Sequence, residues 1–276
     1  MSDIPDFWQD GPHDPIMVED TWRDFVRTMG GIVVDDVMPQ PREIENADFA
    51  FLDASVIAEL KEIETEFSSA PAFLRGFDML MHKLVTEDPE WRPMLFGGSS
   101  QHPAWFASEF IRLFRPPLSR ILKKANRQLR ETKAHFGIDT PTGILLLVND
   151  GFTSIGPDLI RALTSDLLLH SYSSIDCCIY LTVNRYVEIA GADEPKLIWA
   201  PRYSNRASDR LVSFVDELGR SWYNFLEQKI GPFTSRAEVP QEADVLRGAK
   251  SIVLPSENDS NSQTSDSAEK RSAPFF

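Results

Sequence analysis

The sequence predicts an α/β protein, and three observations carry that reading. Residues 143–148 and 175–183 are short, continuous apolar runs, the composition of strands buried on both faces. Residues 48–52 and 55–61 are two further short segments separated by two residues, the pattern of a hairpin. Around them lie longer stretches in which apolar side chains recur at helical spacing.

Residues 1–16 contain Pro5, Gly11, Pro12 and Pro15 and are expected to be irregular. Residues 18–29 form an amphipathic helix with Val18, Trp22, Phe25, Val26 and Met29 on one side, ended by Gly30-Gly31. A first strand is expected over 32–37, broken by Pro39 and Pro41. The hairpin follows. Residues 55–67 also fit a helix, because Val56, Leu60, Ile63 and Phe67 recur at helical intervals; on that reading Glu59 and Lys61 are surface charges. Beyond it, residues 62–138 read as mainly helical, with helices over 72–84, 103–114 and 118–136, the last opened by Pro116-Pro117. The Gly-Ser stretch at 96–102 lacks the Gly-Lys-Ser/Thr ending of a phosphate loop and is expected to be a turn. Then come the strand at 143–148, a helix over 157–170 with Pro157 in its first turn, and the strand at 175–183. A peripheral hairpin of 187–189 with 197–199 and a long helix over 207–228 complete the ordered part. The expected organisation is an acidic, irregular stretch at 1–16 and a single α/β domain over 17–236 with a helical insertion at about 62–117. A mostly disordered polar tail occupies 237–276, since little after Pro255 can be buried.

The 276 residues suit one large domain, and no apolar run approaches the roughly 20 residues needed to span a bilayer. The acidic start lacks a signal peptide's basic and apolar segments, so a cytoplasmic protein without a membrane partner is expected. Cys177 and Cys178 are adjacent in a strand, point to opposite faces, and are expected to be buried thiols. A net charge of −14 opposes bulk attraction to nucleic acid, and the acidic termini suit a protein partner. Yet residues 112–133 carry eight Lys and Arg against Glu131 alone, a local basic face able to meet a phosphate backbone.

The hairpin concentrates the chemistry. Alternation places Ile57, Glu59 and Lys61 on one face of the second strand and Val56, Ala58 and Leu60 on the other. With Asp53 and Ala54 as the loop, Leu52 pairs with Ser55 and Asp48 lies opposite Glu59. Like charges opposed across strands are destabilising unless something sits between them. A divalent cation held by carboxylate oxygens would serve. Asp48 opening one strand, with Glu59-Leu60-Lys61 on the next, resembles the PD-(D/E)XK nuclease superfamily, although Ala47 stands where the motif has proline. The order of elements over 18–183 is similar to that superfamily's restriction-endonuclease-like αβββαβ core, with a helical insertion after the third strand and a C-terminal helix added.

The resemblance implies a nuclease using Mg²⁺ or Mn²⁺ on nucleic acid, with DNA favoured. Asp48 and Glu59 would hold the metal, and Lys61 would act as the third catalytic residue by assisting water. It also implies that the helix after the active strand lends phosphate contacts, here Lys124 and Gln128, with Arg127 beside them. The alternative for that helix is a solvated charged face. Asp53 reads as a turn former and Asn149-Asp150-Gly151 as a turn. The histidines show no zinc spacing with cysteine, and no Rossmann or Walker fingerprint is present. Two other functions remain open on the sequence: a non-catalytic interaction module of the same fold, and a helical adaptor without a metal site.

Overall fold

The computed structural model describes residues 8–10, 13–39, 44–89, 91, 102–153, 157–187 and 194–236. The elements run β1 (Trp8–Asp10), α1 (Val18–Thr28), β2 (Ile32–Val33), α2 (Val34–Val37), β3 (Phe49–Phe51) and β4 (Val56–Ile63). They continue with α3 (Pro71–Glu87), α4 (Ala104–Arg112), α5 (Arg115–Phe136), β5 (Thr142–Asn149) and α6 (Pro157–Ser171). The remainder are β6 (Cys177–Leu181), β7 (Arg185–Val187), β8 (Trp199–Tyr203) and α7 (Asp209–Ile230).

The protein is a mixed α/β structure built on a six-stranded sheet of order β2-β3-β4-β5-β6-β8. The pairs β2–β3, β3–β4 and β6–β8 are antiparallel; β4–β5 and β5–β6 are parallel. A parallel neighbour needs a crossover long enough to carry the chain back, and α5 and α6 lie in the two crossovers. The sheet is therefore covered on both sides. Leu118, Leu122, Ala125 and Leu129 of α5 and Ile160 and Leu163 of α6 pack over Ile57, Ile63, Leu145 and Leu147. On the other face, Trp22, Phe25 and Val26 of α1 and Leu211, Val215, Leu218 and Trp222 of α7 pack over Ala58, Leu60, Leu146 and Ile179. Trp22 and Trp222 stack with ring centroids 4.3 Å apart and join the two helices of that layer. Burial on both faces explains why β5 and β6 read as unbroken apolar runs. Cys177 and Cys178 divide between the two faces as free, buried thiols.

The insertion in the β4–β5 crossover holds α3 and α4. Leu80, Leu84 and Phe106 form a small core of their own, and Phe73, Phe114, Phe152 and Phe67 link it to the ends of β4 and β5.

Several expectations are corrected. Within the segment 55–67, Val56–Ile63 extends as β4 rather than coiling, so the hairpin reading holds and the helical one does not. The strand expected over 32–37 stops at Val33: the chain turns into α2, and Val34 N–H donates to Asp48 O at 2.9 Å. Residues 8–10, expected to be irregular, pair with β7. Of the peripheral hairpin expected from 187–189 and 197–199, residues 188 and 189 lie outside the described residues; Val187 forms an antiparallel bridge with Lys196, and Trp199 enters the main sheet as the start of β8 against β6. Residues 92–101, 188–190 and 237–276, which include the Gly-Ser stretch and the polar tail, lie outside the described residues.

Candidate functional site

The β3–β4 hairpin turns at a 3₁₀ segment, Leu52–Ala54, closed by Ser55 N–H donating to Leu52 O at 3.0 Å. Ser55 adopts the left-handed region, with φ 57. The register that follows, Phe51↔Val56, Ala50↔Ile57 and Phe49↔Ala58, leads one step further to Asp48 and Glu59. Asp48 Oδ2 accepts the Leu60 N–H at 2.7 Å, so the carboxylate reaches across to β4.

Glu59 is fully buried on the face that α5 covers, between Ile57 and Ile63 along the strand. Its Oε1 accepts from Lys61 Nζ, and its Oε2 is buried without a hydrogen-bond donor. Lys61 retains 19% exposure, so the ammonium sits between the buried carboxylate and solvent. Burial pushes the Glu59 carboxyl up to about 8; the Asp48 charge pushes in the same direction and Lys61 opposes both. Asp48 is also raised by burial, against the pull of the Leu60 N–H and Lys61. The structure thus brings Asp48, Glu59 and Lys61 together, as the alternation of side chains requires. The opposed pair of carboxylates has one ammonium and one backbone donor for compensation; the two carboxyls can hydrogen-bond each other only when one is protonated, and with both ionised Glu59 Oε2 has no donor.

The surroundings on this end of the sheet are acidic. Glu62, on the opposite face of β4, is pushed up to about 7 by burial and then by Asp150, Glu64 and Glu19. Glu19, in the first turn of α1, also raises Asp48 and is held by Arg23 at 2.7 Å. Sequence reasoning missed Glu19 as a neighbour, since no local pattern links the first turn of α1 to β4. Asn149 and Asp150 form the expected turn: Asn149 bonds Phe152 and Tyr180, and Asp150 accepts from the Val183 and Asn184 N–H groups at 2.9 Å. Asp53 lies in the hairpin turn, where Arg210 donates to its carbonyl at 2.6 Å.

The three residues expected on α5 do not form one phosphate-facing set. Lys124 is exposed. Arg127 is exposed and ion-paired with Glu45. Gln128 is buried, and its Nε2 donates to Asn46 O at 2.9 Å. One residue facing solvent, one neutralised and one facing the protein cannot share a ligand as they stand.

Among the described residues no three of His, Cys, Asp and Glu are grouped as a metal cluster. The donor set at Asp48 and Glu59 is nonetheless of the right chemistry for a hard cation. Mg²⁺ is bound through one or two carboxylates while keeping several waters, and Glu59 Oε2 is a buried acceptor in want of a partner. Comparison with family models, with curated proteins and with solved structures yields no match.

Proposed function

We propose that the protein is a divalent-cation-dependent nuclease of the PD-(D/E)XK type, acting on the phosphodiester bonds of nucleic acid, with DNA the favoured substrate. The observation that carries this reading is the bare, buried Oε2 of Glu59 beside Asp48, with Lys61 Nζ on the same carboxylate. An antiparallel β2-β3-β4 unit continued by parallel β5 and β6, with α1 on one face and α5 and α6 on the other, supports a restriction-endonuclease-like core. Asp48 and Glu59 would hold Mg²⁺ or Mn²⁺, which polarises a phosphate oxygen and offsets charge developing on it. Lys61, at the solvent edge of the carboxylate pair, would donate to the attacking water or to the phosphate, and its charge would be strongest in effect where water is thinned by burial.

The test is cleavage of plasmid and single-stranded DNA by the purified chain in Mg²⁺, in Mn²⁺ and in EDTA. Metal-dependent cleavage that is lost in Glu59→Ala and in Lys61→Ala supports the proposal. No cleavage by the wild-type chain, or variants that cut as well as it does, overturns it.

One observation favours a second reading. With a net charge of −14, with Glu19 near Asp48, and with Asp150 and Glu64 beside Glu62 on the opposite face of the strand, a protein partner suits the electrostatics better than nucleic acid. A non-catalytic module would show no gain in thermal stability on adding Mg²⁺, whereas a ligand that binds only the folded state raises it.

A further inference from the structure

The segment that delivers Asp48 is held by side chains instead of by a β ladder. Residues 45–47 lie outside every strand, yet Asn46 and Ala47 are buried. Their main-chain groups are satisfied largely by one face of α5. Gln128 Nε2 donates to Asn46 O at 2.9 Å, Thr132 Oγ1 accepts the Ala47 N–H at 2.7 Å, and Glu131 Oε2 accepts the Glu45 N–H at 3.1 Å. Arg127 adds an ion pair to the Glu45 side chain. From the other direction, Asn46 Nδ2 donates to Asp35 Oδ1 at 2.7 Å, and Asp35 pairs with Arg23 of α1.

We propose that the Gln128–Thr132 face of α5 is a positioning device for Asp48, setting the affinity of the carboxylate pair for a divalent cation; this rests on the metal-holding role proposed for Asp48 and Glu59. The physical argument is one of freedom. A strand's ladder fixes direction and register, and Asp48 stands one residue before the ladder of β3 begins. Without the clamp, its main chain would be tied on this side only through its own carbonyl to Val34. Thr132 and Ala47 are both fully buried, so the bond between the hydroxyl and the Ala47 N–H is made away from water. Gln128 leaves its own Oε1 buried without a partner, yet an apolar side chain in its place would strip the buried Asn46 carbonyl of its donor. The hydrogen bonds of Thr132 and Gln128 go to the main chain of residues 46 and 47, and the carboxylates themselves are bonded by Lys61 and the Leu60 N–H. Thr132 and Gln128 act on the reaction through the backbone before Asp48.

Mn²⁺ binding to the full chain, read by electron paramagnetic resonance of the free ion, tests this. Thr132→Val keeps shape and removes the acceptor; Thr132→Ser keeps the acceptor; Gln128→Met removes the amide. Leu226→Ala, in the opposite helical layer, serves as a destabilised control. Binding by wild type that is abolished in Glu59→Gln, weakened about 10–100-fold in Thr132→Val and Gln128→Met, and near wild type in Thr132→Ser and Leu226→Ala supports the proposal. If Thr132→Val is too unstable to purify, Gln128→Met against Thr132→Ser carries the same comparison. Wild-type-like binding by Thr132→Val and Gln128→Met overturns the positioning role while leaving the metal site standing. Weakening in Leu226→Ala to the same degree reduces the effect to lost stability and overturns it too. No Mn²⁺ binding by wild type overturns the site and the clamp together.

Discussion

Glu59 is a carboxylate that the fold does not want charged in the absence of a cation. It is fully buried, with its carboxyl raised to about 8 by burial and by Asp48. A folded-state value above the unfolded one means that the folded chain binds the extra proton between about 4.5 and 8. Folding stability therefore falls as pH rises through that window. Glu59→Gln removes the titration. In EDTA the variant is expected to melt higher than wild type at pH 9 by at least ~2–4 °C, the shift of about 1 kcal/mol in a domain of this size, and to show no such gain at pH 5. Differential scanning fluorimetry across pH checks it, and equal gains at both pH values would remove the buried charge as the cause. Lys61 belongs to the same ledger from the other side. Lys61→Met removes the ammonium that donates to Glu59, so the carboxyl is expected to rise further. Cleavage, where present, should fall by about 10²-fold or more with little change in fold, read by steady-state kinetics beside circular dichroism.

At the scale of elements, the hairpin was the most legible part of the chain. The turn is longer than the expected two residues, running over 52–55 between Phe51 and Val56, but the register is the one expected, and register with strict alternation fixes which side chains meet. That is why Asp48, Glu59 and Lys61 could be placed together from residue order, and why Val56, Ala58 and Leu60 fall on the other face. The errors came where composition misleads. Val34 and Val37 look like strand residues but turn as α2: the Val34 N–H makes one last in-register bond to Asp48 O, and Met38 N–H then closes the helical turn on Val34 O. β8 contains Pro201 and Arg202, and only its first residue, Trp199, fell within the expected hairpin strand at 197–199; proline is tolerated on an edge strand, where β8 sits. The role of Gln128 was illegible for another reason: a side chain bonded to a distant main-chain carbonyl leaves no local periodicity. The turn after β5 gives a test at this scale. A Cβ on Gly151 would lie 2.1 Å from the Glu64 carbonyl carbon and 2.2 Å from its oxygen, and the obstacle is main chain that cannot swing aside. Gly151→Ala is expected to lower stability by about 1–3 kcal/mol by pushing apart the ends of β4 and β5, measured by urea denaturation. A neutral result would mean that the two strand ends are free to separate.

For the whole molecule, the question is how a chain of net charge −14 could approach a polyanion. The acidic groups crowd the end of the sheet that holds Asp48 and Glu59, so attraction must come from a separate surface. α5 supplies one. Arg120, Lys123, Lys124, Arg127 and Arg130 are exposed along it, but Arg127 is paired with Glu45 and Arg130 lies 3.8 Å from Glu131. Arg120, Lys123 and Lys124 are left as the cations able to displace counterions from phosphate. Each phosphate neutralised contributes about −0.9 to the slope of log affinity against log salt, so three contacts give a slope of about −3. Lys123→Gln with Lys124→Gln should flatten that slope to about −1 and weaken binding most at low salt. The same pair of substitutions should leave melting temperature within about 1 °C, because both side chains face solvent. Fluorescence anisotropy with a labelled duplex between roughly 50 and 200 mM salt reads the slope directly. An unchanged slope would move the nucleic-acid contacts off α5. Absence of binding even at low salt would leave the acidic surface to a protein partner, since long-range repulsion would then outweigh the basic face of α5.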